Sequence, residues 1–299
     1  MNILITGGGG FLGAHLAAAL QAAGHTVALY DLNFPTSQQA GINLEHGDIR
    51  DEVRLAEVLT SYRIERVVHL AALLTAECEQ HPARGVDVNC RGSAVVFETA
   101  ARLGVPRVIY GSSVAVFNAD PDLPWDDSRP YGPVSVYGLT KMFVEQLARH
   151  MSTASPRTTF LGLRFGWIYG PGRDRGWREV QAVIENFAHG EARVPYPDYQ
   201  SPLDWTYVED AVQAVTCVLA SPSPGVPAYN VSGDCRPIQD AVAYLQAQFP
   251  QVEAVPYPAQ LPPVGWQFKG DHIYTEAGFT PRYSLEAGLE RMLAQLPHA

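Results

Sequence analysis

The chain is almost without lysine. Among its 299 residues only Lys141 and Lys269 carry an ammonium, and every other cationic side chain of fixed charge is arginine. Basic charge as a whole is scarce: Lys and Arg total 21 against 31 Asp and Glu, a formal net charge of -10. An acidic chain with no basic run argues against nucleic acid and anionic membrane surfaces as partners. Cysteine is sparse as well. Cys78, Cys90, Cys217 and Cys235 are scattered and form no CxxC, so no metal site is expected. Scattered free thiols fit a reducing compartment. The apolar stretches are broken by Gly, His or Gln before the roughly 18 residues that a membrane span requires. "MNILIT" has no basic n-region and runs straight into glycines, so it does not read as a signal peptide. These absences together predict a cytoplasmic protein acting on a small molecule.

What is present is hydrophobic and strongly patterned. Hydrophobic residues make up 46% of the chain, enough for a full core. The first half alternates short β-branched runs with longer helical patterns. Strands are predicted at 2–6, 26–31, 42–48, 66–72, 107–113 and 159–165, and helices at 11–24, 52–62, 84–103 and 135–151. Regular alternation with continuously apolar strands predicts βαβ units and a Rossmann-type, doubly wound parallel sheet with helices on both faces. After about residue 170 the character changes. "VPYPDYQSP" and "VPYPAQLPPVGWQF" read as irregular loops around a cleft, with short elements at 204–220, 228–233, 238–249 and 284–293 between them. The predicted division is a nucleotide-binding domain of 1–168 with 203–232, and a smaller discontinuous lobe of 169–202 with 233–299.

"TGGGGFLG" places Gly7, Gly10, Phe11, Leu12 and Gly13 between the first strand and the first helix. Glycine there permits a tight turn and lets backbone amides approach a pyrophosphate, next to the positive end of the helix dipole. Asp31 ends the second strand, 18 residues past Gly13. A carboxylate at that place can accept hydrogen bonds from an adenosine ribose and would repel a 2′-phosphate. No arginine or lysine stands in "DLNFPTSQQAG", which favours NAD over NADP.

"SVYGLTKMF" puts Tyr137 and Lys141 one helical turn apart on a common face. A phenol is a poor base at neutral pH unless a neighbouring cation stabilises the phenolate. An ammonium can do this; the bulkier, splayed guanidinium is no equivalent. Ser113, at the carboxyl end of "RVIYGSS", is the candidate hydroxyl beside the phenol, with Ser112 as the alternative.

With these residues in place the chain resembles the extended short-chain dehydrogenase/reductases, the NAD-dependent epimerase/dehydratase family. The resemblance rests on the glycine loop, Asp31, "GDIRD", "HLAA", "VNCRGS", "SSVAVF", "YGLTK", "LRFGWIYGPG", "DWTYVEDAV" and "YNVSG". It implies that Asp48 and Ile49 flank an adenine. Leu70, Ala71 and Ala72 would line the cofactor path, with Asn89 close to it, and Ser113, Tyr137 and Lys141 would carry catalysis. It also implies a homodimer, in which the helix of the Tyr–Lys pair and the one before it pack against a twin; the apolar residues of 94–103 fit either that contact or burial against the sheet. Three departures stand out. Trp167 occupies a place where nucleotide-sugar members usually have asparagine. Leu203 stands where they usually have arginine. Val114 and Ala115 replace the Asp-Glu of the 4,6-dehydratases. Two anchors for a nucleotide diphosphate are therefore missing.

"GPGRDRGWRE" sets Arg173, Arg175 and Arg178 in a loop expected at the cleft. Arginine forks suit carboxylate or phosphate, so the substrate is expected to be a small anionic hydroxy compound; pairing of these arginines with Asp174 and Glu179 is the alternative. Trp167 and Trp177 are candidates to wall the substrate site. Packing is the first reading of Trp125, Trp177, Trp205 and Trp266, and His69 reads as a satisfied core histidine. The function expected is an NAD-dependent oxidoreductase acting on a secondary alcohol or ketone. The alternatives are a sugar or nucleotide-sugar epimerase that keeps its cofactor, and a non-catalytic NAD-binding sensor.

Overall fold

Seven strands line up in the order β3-β2-β1-β4-β5-β6-β10, all parallel, and all but the edge strand β3 are largely buried. They are β1 (Asn2–Thr6), β2 (Thr26–Asp31), β3 (Asn43–His46), β4 (Arg66–His69), β5 (Arg107–Ser113), β6 (Thr159–Phe165) and β10 (Ala228–Val231). The structure is a computed structural model and describes residues 1–34, 41–117, 126–221, 227–260 and 269–296. Side chains alternate across the sheet as the strand period demands. Leu4, Ala28, Val67, Val108 and Tyr110 face one side and pack with Leu55, Val58, Phe97 and Val144. Ile3, Ile5, Val27, Leu29, Val68, Ile109 and Leu161 face the other and pack with Leu16, Leu20, Ala211 and Val215.

The helices that cover the sheet are α1 (Phe11–Ala22), α2 (Glu52–Ser61), α5 (Gly92–Arg102), α6 (Val136–Ala154) and α8 (Val208–Ala220). α1 ends where Gly24 takes a left-handed φ of 80° and donates to Gln21 O, while His25 N reaches Leu20 O. The predicted long helix at 84–103 is three pieces in continuous register: α4 (Pro82–Gly85), a π-turn at Val86–Arg91, and α5. The short α3 (Thr75–Gln80) before it has no counterpart in the expected elements. α7 (Arg178–Ala188), α9 (Ile238–Gln248), α10 (Asp271–Ala277) and α11 (Leu285–Leu293) complete the helices described here.

The proline-rich stretches depart from expectation. Arg193–Asp198 (β8) pairs in parallel with Glu253–Pro258 (β12), register Pro195 opposite Val255 and Tyr196 opposite Pro256. Both are edge strands of a two-stranded sheet, where a residue without an amide hydrogen is tolerated. The remainder of the second stretch, with Trp266, lies outside the described residues, as does Trp125. A three-stranded sheet joins β7 (Ile168–Tyr169), β9 (Leu203–Tyr207) and β11 (Asp234–Arg236). The predicted element at 204–220 is thus a strand followed by a helix. The core facing α1 and α8 runs without a break into Val183, Phe187, Leu245 and Leu289. Asp210, buried on α8, accepts the amides of Arg282 and Tyr283 and ties the C-terminal segment down.

No described helix is long and apolar enough to cross a membrane. Among the described residues no cluster of His, Cys, Asp or Glu is arranged to hold a metal ion.

Candidate active site

The sheet reverses its winding between β1 and β4, and that crevice at the carboxyl ends of the strands is where a doubly wound fold binds ligands. The β1–α1 turn fills it with backbone. Gly7 has φ 72° and donates its amide to Tyr30 O at 2.9 Å; a Cβ on it would stand 2.6 Å from Ala71 N. A Cβ on Gly13 would stand 2.4 Å from Gly7 O. Only glycine permits this turn and its close approach to the segment after β4. α1 starts at Phe11 with Gly10 as N-cap, no side-chain cap and no acidic residue in its first turn. The amides at that end are left to a ligand, as a pyrophosphate cradle requires.

Asp31 borders the glycine turn. Its Oδ2 accepts Gly9 N at 3.0 Å and its Oδ1 accepts Asn33 N at 3.3 Å, so the carboxylate is aimed across the glycine turn with lone pairs to spare. Part of the segment read as free of basic residues, 35–40, lies outside the described residues. Leu70, Ala71 and Ala72 follow β4 directly, half-buried along the same crevice. Asp48, expected beside an adenine, is not free: Arg50 binds both its oxygens and reaches across to Asp87 of the π-turn. That pairing holds the Asp48 carboxyl below the usual range. Ile49 is buried against Gly92. Asn89 is buried too. Its amide is spent on structure: Oδ1 accepts Leu73 N at 2.8 Å, and Nδ2 donates to Leu73 O at 3.0 Å and Thr140 Oγ1 at 3.1 Å. It fixes the β4–α3 loop to α6, and the π-turn is what aims it inward.

Three residues singled out in the sequence, Ser113, Tyr137 and Lys141, lie near the start of α6. Ser135 caps the helix by accepting Gly138 N at 3.0 Å, and Glu79 of α3 accepts Val136 N at 2.7 Å. Gly138 lets this end pack tightly, since a Cβ would stand 2.3 Å from Ala115 O. Ser113, whose hydroxyl oxygen accepts Ala115 N at 3.2 Å, lies close enough to Tyr137 to act on its phenol. Ser112, the alternative, points the other way and donates to buried Glu145. Lys141 is 8% exposed, with Nζ 5.6 Å from the centre of the Tyr137 ring and donating to Gly111 O at 2.7 Å. Burial drops its pKa to about 8, and burial pushes the Tyr137 phenol up to about 12, with Ser113 and Arg173 opposing the rise. His69 sits behind them with both ring nitrogens bonded, to Thr6 Oγ1 at 2.6 Å and Ser93 Oγ at 2.9 Å. Burial holds it neutral, its pKa lowered to about 3.

The three loop arginines have different fates. Arg175 pairs with Glu77 of α3 at 2.5 Å, and Arg178 pairs with Glu185 at 2.7 Å, not with the Asp174 and Glu179 considered from sequence. Arg173 forms no ion pair among the described residues. It is half-buried, donates to Ile168 O at 2.6 Å and Gly176 O at 3.0 Å, and lies 5.6 Å from the Phe11 ring. Its charge also acts on Tyr137. Trp167 does not line an open cleft: it is 1% exposed, stacked on Tyr169 and edge-on to Trp205, because β6 turns its end into the aromatic core. Trp205 is core as expected. Trp177 is half-buried against Tyr199, with a left-handed φ of 50°. Sequence reasoning passed over Glu145 and Arg164, although Glu145 follows Lys141 by the same four-residue step that separates Lys141 from Tyr137. It had no means of finding Gly111 O, a backbone atom.

The family model described as NAD dependent epimerase/dehydratase family matches residues 3–232. A curated UDP-glucose 4-epimerase of Neisseria meningitidis is 34% identical over 178 residues, 55% of this chain and 52% of its own length. One from Rhizobium meliloti is 33% identical over 149 residues, 48% and 45%. The chain spans about half the length of these curated relatives. Among solved structures, a UDP-glucose 4-epimerase of Thermotoga maritima with UDP-glucose has TM-score 0.87 and 25% identity, covering 98% of both chains. An L-threonine dehydrogenase of Cupriavidus necator has TM-score 0.89 and 24% identity over 99% of this chain and 100% of its own, a likeness of fold.

Proposed function

The chain belongs to the NAD dependent epimerase/dehydratase family, and on that premise we propose that it is an NAD-dependent oxidoreductase acting on a hydroxyl-bearing carbon of a small, carbohydrate-like, anionic substrate. The observation that carries this reading is the meeting of Ser113, Tyr137 and Lys141 at the mouth of the glycine-turn crevice. Gly7, Gly10, Phe11, Leu12 and Gly13 would hold the dinucleotide's pyrophosphate and Asp31 its ribose. Ile49, beside the Arg50-braced Asp48, would face its adenine. When bound, NAD supplies a hydride acceptor at the nicotinamide. Everything else falls to the chain. Ser113 orients the substrate oxygen, Tyr137 takes its proton in oxidation and returns it in reduction, and the Lys141 charge makes the phenolate accessible. The division into a nucleotide domain (1–168 with 203–232) and a substrate lobe is part of the same proposal.

A second reading, an epimerase, is favoured by the names of the curated relatives. There the same residues would act twice on one carbon without net oxidation. Filled Trp167 and apolar Leu203 weigh against a nucleotide sugar, since neither offers a diphosphate a donor in the cleft. Purified protein that releases NADH stoichiometric with oxidised product is a dehydrogenase. Protein that keeps dinucleotide through gel filtration and interconverts isomers with no free NADH is an epimerase.

The homodimer is likewise proposed. Val96, Phe97 and Ala100 pack against the sheet, but Val86, Leu139 and Phe143 stay exposed on the outer faces of the π-turn and α6. Phe143→Asp is expected to convert a dimer to a monomer by light scattering, and a native monomer would refute the idea.

Two predictions concern chemistry. In carbonyl reduction the phenol is protonated throughout, while the Lys141 ammonium is lost as pH rises through about 8. kcat/KM should therefore be flat up to neutral pH and fall above about pH 8. Lys141→Met should remove that limb, and Tyr137→Phe should lower kcat by roughly 10²- to 10⁴-fold; a fully active Tyr137→Phe would overturn the assignment of proton transfer to Tyr137. Arg173→Ala should raise KM for the anionic substrate roughly 10- to 100-fold, the worth of a charge-assisted bond. An unchanged KM would remove the anion subsite, whereas Arg175→Ala and Arg178→Ala should do little.

A further inference from the structure

A buried ion pair stands directly behind the Tyr–Lys pair and has no part in proton transfer itself. Glu145 is one turn beyond Lys141 on the buried face of α6. Its carboxylate accepts Arg164 Nε at 2.9 Å and Nη2 at 2.7 Å, and the Tyr131 hydroxyl at 2.6 Å; the side chains of the pair are 5% and 1% exposed. Arg164 is held in turn by Asp127 O at 3.4 Å and by the Phe117 ring at 4.9 Å. Two charges so deep in a core are weak contributors to stability, because desolvation offsets their attraction. Their cost suggests another use.

The use lies in what Glu145 grips on the strand. It accepts the Ser112 hydroxyl. Ser112 sits between the two groups that set the site: Gly111, whose carbonyl receives the Lys141 ammonium, and Ser113, whose hydroxyl meets Tyr137. Anchoring the middle residue of three fixes the carbonyl before it and the side chain after it, since the backbone between them has few soft torsions. Glu145 is also the negative charge on α6 nearest the ammonium. The other titratable or charged groups facing Lys141 are Cys78 on α3, Cys90 in the π-turn, neutral His69 on β4 and Tyr137, with Arg164 behind Glu145.

We propose that the Glu145–Arg164 pair is a positioning device for the proton-transfer centre: through Ser112 it sets the carboxyl end of β5 against α6, and through its carboxylate it favours the Lys141 ammonium. The proposal rests on the reading of Tyr137 and Lys141 as that centre, but its first test does not. With only two lysines, a chain labelled with ¹³C-lysine gives two side-chain signals, and Lys269→Arg identifies the second. In the unliganded protein Lys141 should titrate near pH 8. Glu145→Gln should lower that midpoint by about half a unit or more, because it removes the charge and keeps the shape. An unmoved midpoint in folded Glu145→Gln overturns the electrostatic part.

Ser112→Ala keeps the ion pair and is the variant expected to fold without difficulty. It should leave the Lys141 midpoint and NAD affinity within about twofold and lower kcat about tenfold, with KM little changed. Wild-type kcat in Ser112→Ala overturns the positioning part, as does a fall in kcat matched by an equal loss of NAD affinity. If instead Tyr137→Phe is fully active, the parent reading fails while the lysine titration still stands or falls alone.

Discussion

The rest of the structure depends on keeping one ammonium charged where water cannot help it. Lys141 is buried beside a phenol, and its Nζ is satisfied by the backbone carbonyl of Gly111. Burial lowers its pKa to about 8, so at neutral pH the charge survives with little margin. Several features become intelligible from that constraint. Gly138 lets α6 approach the strand end closely, Ser135 and Glu79 fix where the helix begins, and Asn89 ties the neighbouring loop to Thr140. Arginine would not serve in this space, and the chain uses arginine almost everywhere else.

The second constraint is geometric. The glycine turn packs closely on the segment that follows β4, with Gly7 against Ala71, and α1 packs on the turn through Gly13 against Gly7. This leaves a helix end without side-chain caps opposite the Tyr–Lys pair, and Asp31 bordering the turn. Family membership over 3–232 gives that crevice its cofactor class. It does not give the substrate. Trp167 and Leu203 are buried in the core and line no cleft, and Arg173 is the loop arginine without a carboxylate partner among the described residues.

Much of this was legible in the sequence because the signals were periodic or local. The central parallel strands read as largely apolar runs, β6 at 159–165 matching its prediction residue for residue. The spacing of Tyr137 and Lys141, and the glycine turn between strand and helix, are local as well. Other features were hidden for definite reasons. β8 and β12 are strands despite their prolines, since a two-stranded sheet leaves one edge of each unpaired. The loop arginines looked alike in sequence, but long-range partners 98 residues away for Arg175 and within α7 for Arg178 separate them from Arg173. Trp167 looked like a cleft wall and is core, a difference set by the turn of the chain after β6.

On the proposed mechanism, Lys141 would make Tyr137 a proton carrier once the dinucleotide is in place. The direct measurement is a phenolate titration by ultraviolet difference against Tyr137→Phe, with and without NAD. The phenol should titrate near pH 12 in the unliganded protein and well below that with NAD bound, and Lys141→Met should abolish the drop. A Tyr137 midpoint that NAD leaves unchanged, or that falls equally in Lys141→Met, would contradict the account.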